Sequence, residues 1–154
     1  MGSSSTTIYY ALGALCAVLG AAHEFVVSPV IAASLLSVSF PKVSDMFTPD
    51  EVAYFNLEQW HTCGLSVCVI SALYFAAARA AAKSERRALL AQIALALGMC
   101  IFVASLITGL MYDDPRVLTV MLSTPPMYVW VVISGLCALA MSMDAAAGAE
   151  GKKK

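Results

Sequence analysis

The residues that call for a chemical account are the ionisable ones standing inside or beside apolar sequence. His23 and Glu24 are adjacent within a long apolar run, and Tyr54, Glu58 and His61 follow at i, i+4 and i+7, one stripe of a helix. They include both histidines of the chain. An ionisable group within a membrane span is costly, usually faces the bundle interior or a wet cavity, and is a functional-site candidate by default. Three chemistries suit His23, Glu24, Glu58 and His61. The carboxylates can be satisfied by the histidines, by backbone or by interfacial water, as buried polar groups require. The two imidazoles can ligate a haem, or join one carboxylate around a single metal ion of the mononuclear iron type. A metal-free His/Glu pair can instead move a proton on a hydrophobic substrate. Glu58-Gln59-Trp60-His61 has the Glu-x-x-His form used in di-iron bundles, but the chain offers no second element of that form. His23 and Glu24 point about 100° apart on a helix, so they cannot both serve one site. Tyr54 and Trp60 belong at the rim, as do Tyr112, Asp113 and Asp114, which also suit a solvated turn before Pro115.

These residues need helices to position them. Of the 154 residues 60% are hydrophobic and 12% charged. The mean hydropathy is +0.81. A soluble domain carries about twice that share of charge, and a core of this size cannot hide so much apolar surface. The expectation is an integral membrane protein of the all-α class. Four apolar blocks cover residues 8–38, 49–81, 87–111 and 126–143, between flexible segments 1–7 and 144–154. Pro29 should kink the first. Thr48-Pro49-Asp50-Glu51 starts the second, with Thr as N-cap, Pro at the first helical position and Glu three residues after the cap. Tyr112-Asp113-Asp114-Pro115 ends the third. The second block is longer than a span needs, so its first turns should stand in the headgroup region. If the first two helices form a hairpin ending near Val38 and Pro49, equal rise on each side sets His23 opposite about Gly64 and His61 about one turn away. His23 and His61 are then expected to share one interior cavity, with Glu58 nearer the aqueous rim.

Charge and small residues complete the architecture. Arg79, Lys83, Arg86, Arg87 and Lys152 to Lys154 make seven of the nine basic residues, and an even number of spans puts them on one side. The positive-inside rule makes that side, with both termini, cytosolic or its matrix or stromal equivalent. The arginine group can also attract anionic lipid. Gly13, Ala17 and Ala21 on the first helix, and Ala94 with Gly98 on the third, are spaced to let helix backbones approach closely. The expected product is a four-helix bundle in up-down-up-down order. The five cysteines lie in apolar stretches without CxxC spacing and read as small buried hydrophobes, and the eight methionines as packing filler. Gly2 to Thr6 formally matches a myristoylation pattern. A net charge of −1 with no basic stripe excludes nucleic acid as a partner. The partners expected are the lipid bilayer and other membrane subunits or a second copy.

A first helix with a downstream proline (Gly20 to Pro29), a stretch with Trp60 and Gly64, and a third helix followed by Asp113-Asp114-Pro115 and Met121 together resemble the anthrone-oxygenase-like family of small four-helix membrane proteins. The resemblance covers about two thirds of the chain. It implies cofactor-independent oxidation of a polycyclic phenolic substrate, with the His61 region lining the pocket. Against it stands elimination: the sequence has no phosphate loop, nucleophile constellation, zinc spacing or large soluble domain. The leading expectation is therefore a non-catalytic accessory or structural subunit of a membrane assembly. The alternative is a small enzyme or binding protein for a hydrophobic ligand, or for haem or a metal, at His23 and His61.

Overall fold

A helix runs without interruption from Pro49 to Arg79, and proline suits a first helical turn; Thr48, expected as its N-cap, lies outside the described residues. The computed structural model describes residues 4–22, 49–82, 84–111 and 125–151. These form four helices, α1 (Ser4–Ala21), α2 (Pro49–Arg79), α3 (Glu85–Met111) and α4 (Pro125–Gly151), with no strand among the described residues. Each contains a window long and apolar enough to cross a membrane. The expected kink at Pro29 lies outside the described residues.

The connection from α2 to α3 is tight. The Ala80 amide donates to the carbonyls of Ala76 and Ala77, and the Ser84 amide donates to Ala81. Ser84 then caps α3: its hydroxyl accepts from the Arg87 amide at 3.2 Å, and its carbonyl accepts from Ala88. Two boundaries differ from the sequence expectation. α1 begins at Ser4, inside the stretch expected to be flexible. α4 continues past Met143 to Gly151. The Ala-rich composition that suggested a mobile tail is also the best of helix formers, and Asp144 is anchored from two other helices, as described below.

The helices form a ring in which α2 and α4 each pack on both α1 and α3. Among the described residues the backbones of the diagonal pairs stay apart. The inward positions recur at three- and four-residue steps. On α1 they are Ser5, Tyr9, Leu12, Gly13, Cys16 and Gly20. On α3 they are Arg87, Ala91, Ala94 and Gly98, and on α4 Trp130, Ile133, Cys137 and Ala140. This is the spacing of helices packed at a shallow crossing angle. Size alternates across the interior. On the small stripe of α3, a Cβ added at Gly98 would lie 3.1 Å from the Trp130 ring.

The close approach of α1 to α2 rests on Gly13 and Gly20. A Cβ at Gly13 would stand 3.0 Å from the Phe75 ring, and one at Gly20 would stand 2.5 Å from the Cys68 sulfur and 3.2 Å from the Gly64 carbonyl. The expected ladder of Gly13, Ala17 and Ala21 is thus corrected to Gly13 and Gly20, since Ala21 is exposed and Ala17 only half-buried. Ala94 and Gly98 do face inward, as their spacing suggested. The outer surface is apolar: Val18 is 67% exposed, Leu110 62% and Leu65 59%. A water-soluble monomer rarely carries so extended an apolar surface.

Candidate functional site

The histidine–glutamate cluster falls largely outside what the structure describes. His23, Glu24, Tyr112, Asp113 and Asp114 lie outside the described residues. Tyr54, Glu58 and Trp60 lie on α2, with their side chains not described. His61 is half-buried on α2, one turn before Gly64. The expected cavity shared by His23 and His61 therefore also falls outside the described region. Among the described residues no group of three or more His, Cys, Asp or Glu side chains is placed to hold a metal ion.

The polar centre that the structure does bring together lies at the opposite end of α2. Arg87 projects from the first turn of α3 into the bundle, where its side chain is 2% exposed. It crosses the ring to α1, donating from Nη1 to Thr6 Oγ1 at 2.9 Å and from Nη2 to Ser5 Oγ at 3.0 Å. Its Nε lies 2.8 Å from Oδ2 of Asp144 on α4, an ion pair made without hydrogen-bond alignment. Ser5 closes the circuit by donating its hydroxyl to Asp144 Oδ1 at 2.7 Å. Below the guanidinium, its carbon sits 4.8 Å from the centre of the Tyr9 ring, a cation–π contact. One side chain thereby ties three helices. The first turn of α1 has no acidic residue of its own. Asp144 brings a negative charge to that turn, where the helix dipole favours an anion.

Other polar groups in the interior also join helices. Ser71 Oγ on α2 donates to the Gly13 carbonyl on α1 at 2.7 Å. The Cys137 thiol on α4 points to the Ala91 carbonyl on α3 at 3.7 Å. The Tyr9 hydroxyl is buried without a hydrogen-bond partner among the described residues.

None of the five cysteines is in a disulfide. Cys16 and Cys137 are buried, as expected for small hydrophobes, whereas Cys68 and Cys100 are exposed on the outer surface. In mild detergent Cys16 and Cys137 should resist a small maleimide until the chain is denatured. Peptide mapping by mass spectrometry checks this, and full labelling of these two in the folded protein would contradict the described packing.

Sequence reasoning assigned Arg87 to the solvated, orientation-setting charges and missed Asp144 as its partner. A usable signal was present: Arg87 is in phase with Ala91, Ala94 and Gly98, the small stripe of its helix. What fold and site define together is a class: an all-α bundle of four candidate membrane-spanning helices closed by a buried arginine–aspartate clasp. Comparison with protein-family models, curated proteins and solved structures finds no match to this chain.

Proposed function

We propose that this chain is a non-catalytic multi-pass membrane protein, an accessory or structural subunit of a larger membrane assembly. Its four spans run up-down-up-down, with both termini on the cytosolic side or its matrix or stromal equivalent. The observation that carries the proposal is where the polar side chains go. Arg87, Asp144, Ser5, Thr6 and Ser71 are engaged in holding helices to one another, while the outward face is broadly apolar.

The pairing of Gly13 with Ser71 and of Gly20 with Gly64 suits antiparallel neighbours. The short turn between α2 and α3 suits them equally. Only 22% of the α3 and α4 windows is buried within the chain, which leaves most of their apolar surface for lipid or for other subunits. The orientation rests on the excess of basic residues around the α2–α3 connection and at the C-terminus.

Carbonate washing should leave the chain in the membrane fraction. Extraction in mild detergent followed by native sizing should then return a species larger than the monomer, with a co-purifying protein. A monodisperse monomer without a partner overturns the subunit assignment. An absorption spectrum of the same preparation carrying a Soret band that His61→Ala removes would transfer the chain to the ligand-binding class.

A further inference from the structure

A second cationic feature lies outside the clasp. At the end of α2 and the start of α3, Ala72, Phe75, Ala76, Arg79, Ala80 and Arg86 line a cleft of about 530 Å³. That volume falls in the usual range of small-molecule sites, about 300–1,000 Å³. We infer that this cleft binds one anionic phospholipid, with Arg79 and Arg86 holding its phosphate and the Ala72–Phe75–Ala76 surface receiving the start of an acyl chain.

The two arginines differ from Arg87. Both are exposed, and neither makes an ion pair or hydrogen bond among the described residues. They come from different helices yet line the same cleft. Two arginines lining one hollow bring guanidiniums, planar bidentate donors suited to phosphate oxygens, to its wall. Glu85, next to Arg86, does not line the cleft, so no carboxylate of the described lining opposes an anion.

The remaining wall is apolar and firmly placed. The Phe75 ring rests against Gly13 and is tilted 54° to the Tyr10 ring at 6.2 Å, so α1 holds it from behind. The alanines at 72, 76 and 80 leave room where larger side chains would close the hollow. A free phosphate would use only the charged end. A phospholipid uses both ends, and the cleft offers both. The location matches too, since basic pockets between spans on the cytosolic side are where anionic headgroups gather.

The inference rests on the proposed bilayer setting. The full chain, purified in a neutral detergent, is titrated with phosphatidylglycerol in a phosphatidylcholine background, and bound lipid is counted by native mass spectrometry. One tightly retained phosphatidylglycerol is expected. Arg79→Gln with Arg86→Gln should weaken its retention by about tenfold or more. Ala72→Leu, an exposed change that fills the cleft without altering charge, should also lose it. Inorganic phosphate should not displace it. Unchanged thermal midpoints of both variants establish that the fold is intact. Retention of the lipid by the double glutamine variant overturns the inference. So does its retention by Ala72→Leu, which would mean diffuse attraction, or its displacement by inorganic phosphate, which would mean an anion site alone. Release of the chain by carbonate would instead end the membrane proposal itself, so the two failures can be told apart.

Discussion

Asp144→Ala should destabilise the bundle more than any other single substitution at the clasp. It leaves the Arg87 guanidinium, 2% exposed at its side chain, without a counter-charge. Removing one partner of a buried ion pair typically costs about 3–5 kcal/mol, because the remaining charge is neither solvated nor compensated. Arg87→Leu should cost less, since Asp144 is 16% exposed and keeps its bond from Ser5. The combined change Arg87→Leu with Asp144→Leu should recover much of the loss, as well-packed apolar pairs often replace buried ion pairs without penalty. Thermal unfolding of the four proteins in one detergent checks this order. A double variant no better than Asp144→Ala would show that the pair acts through something other than charge compensation.

Gly20→Ala should come next. The added Cβ would lie 2.5 Å from the Cys68 sulfur, 3.2 Å from the Gly64 carbonyl and 3.3 Å from the Cys68 amide. The sulfur can turn away, but the two backbone atoms cannot, so α1 and α2 must part. Overpacking of this kind costs about 1–3 kcal/mol. Gly20→Ala with Cys68→Ala should recover only the share due to the sulfur. Gly135→Ala is the matched control, because a Cβ there meets nothing within 4 Å. That change should be neutral, or stabilising by up to about 1 kcal/mol through helix propensity. Equal effects at Gly20 and Gly135 would mean that the close α1–α2 approach contributes nothing to stability.

Much of the helical framework was legible because its signals are local. The helices that the described residues form overlap the apolar blocks read from the sequence, α2 from Pro49 and α3 as far as Met111, while the stop signal at 112–115 lies outside the described residues. The register that sets His23 opposite about Gly64 lies outside the described residues; what the structure does place is Gly20 beside Gly64 and Cys68. Which residues face inward was much less legible. The helices are apolar around most of their circumference, so hydrophobic periodicity hardly separates Gly20 from Ala21. The clasp was the least accessible feature. Arg87 sits beside Arg86 in a stretch that reads as surface charge, and its partner lies in a segment that composition alone assigns to a mobile tail. Nothing local connects Arg87 with Asp144. Of the histidine cluster, only His61 has its side chain among the described residues, half-buried on α2.

The clasp also imposes an order on biogenesis. Ser5 and Asp144 are 139 residues apart, and Ser5 and Arg87 are 82 apart. During synthesis α1, α2 and α3 emerge while the counter-charge to Arg87 does not yet exist. Until α4 arrives, the Arg87 guanidinium has the Ser5 and Thr6 hydroxyls of α1 to meet it but not the carboxylate of Asp144. Asp144 then supplies the charge that ties α4 to both α1 and α3. A nascent chain arrested before that point presents an arginine without its counter-charge among its helices.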